Sequence, residues 1–151
     1  MEKGTLINAN DYVGIPYKFA GWTHDGADCI GLVRLIFHEQ HWKPAIYDGE
    51  FSRDWWKTEP YRMLRFFVKN FDIIKEEHDL QCGDVMYFDI NGEGHVGIYL
   101  DYGKLLTTFP ANCKQWDGSV LPDESMIVPR RIWEKGFKCG FRRRITQEDN
   151  D

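Results

Sequence analysis

Residues 27–35 read ADCIGLVRL, in which a cysteine follows an acidic residue at the start of an amphipathic pattern. From Cys29 to about Glu39 the apolar side chains recur at helical spacing, and Asp28 occupies the position of an N-cap. The pattern therefore predicts a helix that begins at the cysteine. A free cysteine is usually a packing residue, but a thiol on a first turn meets unpaired N–H groups and the positive end of the helix dipole. Both favour the thiolate, which makes Cys29 a candidate nucleophile.

Length and composition are typical of one globular domain. The chain has 151 residues and a mass of 17.8 kDa, with 42% hydrophobic and 28% charged residues, and we expect a single domain over 1–151. The aromatic content of 15% suggests a dense core with some aromatic surface for a ligand or partner. A net charge of −5 argues against nucleic acid as the main partner, because phosphate binding requires a basic face.

The sequence predicts neither a membrane partner nor a metal site. Its apolar runs are shorter than the roughly 20 residues of a membrane helix. The N-terminal stretch MEKGTLINANDY lacks the apolar segment of a secretory signal, so we expect synthesis in the cytoplasm. The cysteines contain no C-x-x-C pair, which leaves a zinc knuckle or a thioredoxin-type motif unsupported. They lie at positions 29, 82, 113 and 139.

The order of elements predicts an α+β fold, in which helices precede an antiparallel sheet. A short helix is expected over 3–13, a loop over 21–28, and a second helix from near Glu59 with Pro60 at its first position. The second half of the chain reads as strands that alternate with turns, one of them at 91–94. The expected strands cover residues 83–90, 95–101, 104–109, 126–133 and 139–145.

A nucleophilic cysteine needs a histidine as general base and later as general acid. His95 is the best candidate, because it opens a predicted strand after a glycine-rich turn and is expected at a sheet edge within reach of a helix end. His24, in the loop before the cysteine, is the second choice. His38 and His41 are expected to point away from the helix start, and their spacing of three does not fit the H-E-x-x-H metalloprotease motif.

Two blocks of the chain resemble the signature blocks of the NlpC/P60 cysteine peptidases. They are GIPYKFAGWTHDGADCIGLV (14–33) and LQCGDVMYFDINGEGHVGIYLDYGKLLTT (80–108). The matching elements are the Asp-Cys-x-Gly-Leu-Val run, the Gly-Asp strand start and the His-Val-Gly-Ile-Tyr run. The resemblance implies a papain-like α+β core with N-terminal helices packed on an antiparallel β-sheet, with Cys29 at a helix N-terminus and His95 on the first central strands of the sheet.

The resemblance also implies site residues and a substrate. Cys29 is expected as nucleophile and His95 as base in the hydrolysis of peptidoglycan stem peptides, without a metal or organic cofactor. Asp28 matches the position that engages the free amine of the stem peptide, although it also reads as a simple N-cap. Tyr17 matches a tyrosine near the thiol, where it contacts substrate or oxyanion, or only packs.

The stretch HEQHWKPAIYDGEF is similar to family members encoded in phage tail gene clusters. This implies tail proteins as partners and a location in the virion tail. The role of the aromatic segment YDGEFSRDWW (47–56) stays open: it lines the cleft, caps it, or meets a partner.

The sequence departs from the family pattern at three positions. Ile30 replaces the usual serine, which puts that substrate contact in doubt, and Cys82 replaces a proline, where we expect a structural role. Thr107 stands where the family has His, Asn or Gln, and its hydroxyl is expected to accept the Nδ1–H bond of the catalytic imidazole. Asp101 is an alternative for this task. Three functions follow: a hydrolase with a Cys-His dyad, a structural or assembly protein that retains the fold, and an acyltransferase that uses the same thiol.

Overall fold

Two α-helices and eight β-strands form the regular structure of the residues that the computed structural model describes, 8–46, 62–90, 93–109 and 123–144. In chain order they are β1 (Trp22–Thr23), β2 (Gly26–Ala27), α1 (Cys29–Gln40), α2 (Arg62–Asn70), β3 (Asp72–Ile74), β4 (Val85–Ile90), β5 (Glu93–Leu100), β6 (Lys104–Thr107), β7 (Met126–Pro129) and β8 (Phe137–Arg142). Short 3₁₀ helices lie at Ala9–Tyr12, Glu77–Asp79, Asp101–Gly103 and Arg130–Gly136. Helices that precede an antiparallel sheet confirm the predicted α+β class.

Helix α1 begins at Cys29 because Asp28 caps it. Asp28 has an extended backbone, and its Oδ1 accepts a hydrogen bond from the Gly31 N–H at 2.7 Å. The helix ends at Gln40, after which His41 adopts a left-handed conformation with φ of 58° and donates its N–H to carbonyls of the last turn. The predicted helix is confirmed, and it ends one residue later than expected.

The main sheet has six antiparallel strands in the order β3-β8-β4-β5-β6-β7. Strands β4 to β7 form the predicted meander, in which His95 lies opposite Phe88. Strand β8 then returns to the other side of β4 and carries β3 at the edge of the sheet. His95 therefore lies on a central strand, as the resemblance to the NlpC/P60 peptidases implies, and the expectation from its place after the turn, a sheet edge, was wrong.

Most of the predicted strands match observed strands to within a few residues. The strand expected over 126–133 is shorter, because it ends at Pro129 and the chain then forms the 3₁₀ helix Arg130–Gly136. Strand β3 was not predicted, since a three-residue strand offers too little alternation to detect in a sequence.

The segment 21–28, expected to be a loop, forms the hairpin β1–β2. Its glycines are required by close backbone approach rather than by turn flexibility. A Cβ on Gly21 would lie 2.5 Å from the carbonyl oxygen of Gly26, and a Cβ on Gly26 would lie 2.7 Å from the Lys18 Cβ. The hairpin is thus packed tightly beside the start of α1.

The core occupies both faces of the sheet. Helices α1 and α2 contribute to one buried cluster, and a second, smaller cluster lies on the other side. Strand β4 alternates between them, because Val85 and Tyr87 join the first cluster while Met86 and Phe88 join the second. The central strands are therefore a rigid platform for the side chains that they carry. The first cluster includes Leu32, Ile36, Phe37, Phe67, Phe71, Val96, Ile98 and Phe141.

Several predictions fall outside the described residues. They are residues 3–7 of the first helix, the helix start at Glu59 and Pro60, the turn residues 91–92, the aromatic segment 47–56 and Cys113. Within the described part, the first helix is reduced to the 3₁₀ helix Ala9–Tyr12. The helices described here are all too short or too polar to cross a membrane.

Candidate active site

Cys29 lies at the N-terminus of α1, where this helix packs against β5. Three backbone N–H groups lie near its sulfur and act to lower its pKa, its own and those of Ile30 and Val96. Val96 follows His95 directly on β5, so the fold brings the thiol to the strand that carries the candidate base. Both side chains are partly exposed to solvent.

The orientation of the imidazole is set by Thr107. His95 Nε2 lies 2.9 Å from Thr107 Oγ1, and the Thr107 hydroxyl donates its proton to the Val96 carbonyl oxygen, also at 2.9 Å. The threonine oxygen must then accept from the ring, which puts the ring proton on Nε2 and the lone pair of the neutral imidazole on Nδ1. Thr107 was predicted to bond Nδ1–H; the contact is made through Nε2 instead.

Gly97 provides the space in which Thr107 reaches across to β5. The β5–β6 ladder pairs Ile98 with Leu106, so Gly97 and Thr107 come next in register. A Cβ on Gly97 would lie 2.9 Å from the Thr107 Cβ, closer than real Cβ contacts allow. The glycine of the His-Val-Gly-Ile-Tyr run is therefore a steric requirement of the imidazole support.

Asp28 is buried, with 5% of its surface exposed, and both of its carboxylate oxygens accept backbone hydrogen bonds. Oδ1 caps α1 through Gly31, and Oδ2 accepts from the Ala20 N–H at 2.8 Å. Burial raises the pKa of this carboxyl above its usual range, against the lowering effect of the backbone donors. Asp28 therefore caps α1, and any contact to substrate would use the carboxylate lone pairs that these two bonds leave unused.

Gly31, the glycine of the Asp-Cys-x-Gly-Leu-Val run, is as tightly constrained as Gly97. A Cβ on Gly31 would lie only 1.7 Å from the carbonyl oxygen of Gly21. The first turn of α1 therefore lies directly on the backbone of the preceding segment, which positions Cys29 relative to that segment. Ile30, on the same turn, is partly exposed and packs against the core.

Tyr17 lies in the segment before the hairpin. Its backbone N–H donates a hydrogen bond to the Asp123 carbonyl oxygen at 2.8 Å.

Burial governs the charge of the candidate pair. It raises the pKa of the Cys29 thiol to about 12, and the nearby Asp28 carboxylate acts in the same direction, while the three amides only partly oppose both. Burial also lowers the pKa of His95 to about 3. The expectation of a thiolate stabilised by the helix N-terminus was wrong, because desolvation outweighs the amides. Both shifts favour the uncharged forms, a thiol on Cys29 and a neutral imidazole on His95.

The alternative candidates lie elsewhere. His24 contacts Glu39 in the last turn of α1, with Nε2 to Oε2 at 2.9 Å. At 1.5 Å per residue this is about 15 Å along the helix from Cys29, so His24 is not the base. Asp101 follows the far end of β5, where its N–H approaches the Cys82 sulfur. Asp101 therefore does not support His95, whose Nε2 contacts Thr107 instead. Cys82 is partly buried against the core, which is consistent with a structural role.

Among the described residues, His, Cys, Asp and Glu side chains form no group of three or more that would hold a metal ion. The arrangement in hand offers a thiol, an imidazole with a defined tautomer, and backbone donors around the sulfur. These are the components of nucleophilic attack on a carbonyl group.

Comparison with known proteins identifies the family and the fold. A sequence profile of the NlpC/P60 family matches residues 14–119. The NlpC/p60 domain of the peptidoglycan hydrolase SagA superposes with a TM-score of 0.54 at 15% identity, covering 88% of this chain and 91% of that one. NlpC2 from Trichomonas vaginalis gives a TM-score of 0.59 at 16% identity, covering 93% of this chain and 45% of that one. The fold is therefore the papain-like α+β fold of these domains, and the chain belongs to the NlpC/P60 family.

A curated relative is much longer than this chain. The gamma-DL-glutamyl hydrolase of Bacillus subtilis (strain 168) is 29% identical over 106 residues, which are 65% of this chain and 21% of that protein. The chain thus spans about a fifth of the length of this relative.

Sequence reasoning missed the contribution of Val96. Its N–H lies near the Cys29 sulfur and its carbonyl accepts from Thr107, so one residue of β5 connects the candidate nucleophile with the imidazole support. Both contacts are made by the backbone, and a backbone contact leaves no signature in side-chain type.

Proposed function

We propose that the protein is a cysteine endopeptidase or amidase that hydrolyses amide bonds of peptidoglycan stem peptides. The observation that carries the proposal is that the Cys29 sulfur lies near the backbone of Val96, the residue after His95, while Thr107 holds Nε2 of the His95 ring. Membership of the NlpC/P60 family and the name of the Bacillus relative, a glutamyl hydrolase, support the same reaction class.

The tautomer defines how the reaction proceeds. Nδ1 of His95 takes the thiol proton as the Cys29 sulfur forms a bond to the amide carbonyl carbon. The imidazolium then returns this proton to the leaving amine as the C–N bond breaks, which leaves an acyl group on sulfur. Water then attacks the thioester carbonyl and gives one proton to Nδ1. As the C–S bond breaks, the imidazolium returns this proton to the thiolate of Cys29, and the product leaves as a carboxylic acid that keeps the second proton of the water until it ionises in solvent.

Burial disfavours both the thiolate and the imidazolium, so we propose that transfer of the thiol proton to His95 accompanies the attack on the substrate carbonyl. The amides of Cys29 and Ile30 at the start of α1 are the donors proposed for the developing oxyanion. Thr107 stabilises the imidazolium through one neutral hydrogen bond, which is weaker than a bond to a carboxylate.

Substrate contacts are proposed for three further residues. Asp28 would engage the free amine of a stem peptide with the lone pairs that its two backbone bonds leave unused. Tyr17 would place its hydroxyl near the scissile carbonyl. Ile30, partly exposed on the first turn of α1, would offer an apolar contact where a serine would offer a hydroxyl.

Turnover of purified sacculi and of a synthetic stem peptide tests the proposal. The wild type should release fragments with new amino termini, identified by mass spectrometry, and Cys29→Ala should release none. Cys139→Ala is the matched control, because Cys139 is also a partly buried free cysteine but lies on β8. Equal release by wild type and Cys29→Ala, or none by either, would contradict the proposal.

A second candidate is a tail assembly protein that retains the fold but hydrolyses weakly or not at all. The departures from the family pattern at Ile30 and Thr107 favour it, because they replace groups that contact substrate and orient the imidazole. It predicts that the chain is incorporated into purified phage tails and that sacculi incubated with the wild type release no fragments. An acyltransferase would use the same thiol and would give an amine adduct of the stem peptide instead of a hydrolysed product.

A further inference from the structure

Residues 14–18, here called the Tyr17 segment, lie between two other parts of the chain. On one side the segment pairs with Ala27, whose N–H donates to the Pro16 carbonyl oxygen at 3.0 Å. Ala27 ends strand β2 and stands two residues before Cys29. This side of the Tyr17 segment therefore adjoins the backbone that leads into the candidate nucleophile.

The other side of the Tyr17 segment is held by residues 123–125, which directly precede β7. The Tyr17 N–H donates to the Asp123 carbonyl oxygen at 2.8 Å. Two residues further on, the Ser125 N–H donates to the Ile15 carbonyl oxygen at 2.9 Å. The backbone of Tyr17 is thus fixed between the start of β7 and the approach to the candidate nucleophile.

The side chain of Ser125 strengthens this attachment, and it is fully buried. Its Oγ accepts a hydrogen bond from the Ile15 N–H at 2.9 Å and donates one to the Tyr12 carbonyl oxygen. An alanine at this position would remove both bonds and leave a buried N–H and a buried carbonyl unsatisfied, which is costly. One hydroxyl group therefore joins the Tyr17 segment to the 3₁₀ helix Ala9–Tyr12 that precedes it.

Tyr12, which accepts the bond from Ser125, is itself fixed on helix α1. Its side chain is buried, and its hydroxyl donates to Glu39 Oε1 at 2.9 Å and accepts from Gln40 Nε2 at 3.2 Å. Both partners belong to the last turn of α1. Ser125 therefore connects the Tyr17 segment with the helix that carries the candidate nucleophile at its other end.

The hydrogen bonds of Ile15 and Tyr17 point to one side of the segment and that of Pro16 to the other, which is the alternation of an extended strand. Ile15 and Tyr17 therefore share a face, which the buried Ile15 anchors in the core while Tyr17 is partly exposed. We propose that Ser125 is a positioning residue, which holds the Tyr17 segment where the Tyr17 hydroxyl meets the substrate. This role rests on the proposed function, and Ser125 does not itself contact the substrate, because it is fully buried.

A double-mutant cycle between Ser125 and Tyr17 tests this role in the cleavage of a synthetic stem peptide, well below the Tm of each variant. Ser125→Ala should lower kcat/KM about two- to tenfold, the effect expected from the loss of a hydrogen bond that positions a substrate contact. Tyr17→Phe removes the hydroxyl that is positioned, so in that background Ser125→Ala should change kcat/KM by less than about twofold. A merely structural role of Ser125 would lower kcat/KM by the same factor in both backgrounds.

A second measurement does not depend on turnover. Hydrogen exchange of the Tyr17 amide should be about two- to tenfold faster in Ser125→Ala, because the segment opens locally more often. Val128→Ala is the matched control, since Val128 is buried on β7 but belongs to the smaller core cluster, whereas Tyr12 and Ile15 belong to the larger one. It should lower the Tm but leave kcat/KM and the exchange of the Tyr17 amide within about twofold of the wild type.

The outcomes separate the role of Ser125 from the proposed function. Wild-type kcat/KM in Ser125→Ala, equal losses in the two backgrounds, or unchanged exchange of the Tyr17 amide would overturn the role of Ser125 and leave the proposed function in place. Absence of stem-peptide cleavage by the wild type would contradict the proposed function, and the positioning role would fail with it.

Discussion

Substitution of Thr107 by valine separates the support of the imidazole from simple packing. Valine has nearly the same shape as threonine, and Thr107 is fully buried, so the change removes two hydrogen bonds without opening a cavity. Each bond contributes about 0.5–1.5 kcal/mol net, so the free energy of unfolding should fall by about 1–3 kcal/mol. For a chain of this size that corresponds to a loss of about 3–10 °C in Tm.

The effect on activity follows from the tautomer. Loss of a bond worth about 0.5–1.5 kcal/mol to the Nε2–H form reduces the fraction of productive imidazole, so kcat/KM should fall about two- to tenfold. The assay is cleavage of the stem peptide under kcat/KM conditions, with thermal unfolding of the same samples. Thr107→Ser, which retains the hydroxyl, should recover most of both losses.

The neighbouring residue offers a matched control. Thr108 is equally buried, but its Oγ1 has no hydrogen-bond partner in the described structure. Thr108→Val replaces an unsatisfied hydroxyl with a methyl group, and should leave stability unchanged or higher and activity unchanged. If Thr108→Val costs as much as Thr107→Val, or if Thr107→Val is as stable and active as the wild type, the reasoning is refuted.

Three further outcomes are expected. Gly31→Ala should lower the free energy of unfolding by at least about 1–3 kcal/mol, because the new Cβ meets the Gly21 carbonyl oxygen at 1.7 Å, and an unchanged Tm would contradict this. Asp28→Ala should cost about 0.5–2 kcal/mol through loss of the helix cap, measured by urea unfolding, and no loss would show that the cap is not stabilising. Burial lowers the pKa of His95 from 6.5 to about 3, so between these pH values the unfolded chain binds a proton that the folded chain does not. The free energy of unfolding should therefore fall as the pH decreases across this window, by at most about 1.4 kcal/mol per pH unit. His95→Gln should remove this part of the pH dependence, and an identical pH profile in the variant would exclude His95 as its source.

The sequence was sufficient for the features that depend on local pattern. Asp28 as cap, α1 from Cys29 and the central strands all follow from spacing and residue type, because each element must bury its own apolar face. The pairing of Cys29 with the His95 strand was inferred from the family motifs, whose order specifies the topology. Thr107 was identified by counting along the same pattern, and the structure confirms that it contacts His95.

What the sequence did not predict depends on packing between distant segments. Which ring nitrogen of His95 meets Thr107 is decided by how β5 and β6 approach each other at Gly97. The direction of the Cys29 pKa shift is decided by desolvation, which opposes the local effect of the helix N-terminus and exceeds it. The sequence around Cys29 does not show how deeply its side chain is buried where α1 packs on β5.

The central claim is that the Cys29 sulfur carries the acyl group during turnover. Its most direct test is rapid quenching of the wild type with a stem peptide, followed by peptide mapping of the intact protein by mass spectrometry. The account predicts an acyl adduct on Cys29 that forms and decays with product release, and that forms far more slowly in His95→Ala. Product release without any adduct on Cys29, or release that persists in Cys29→Ala, would contradict it.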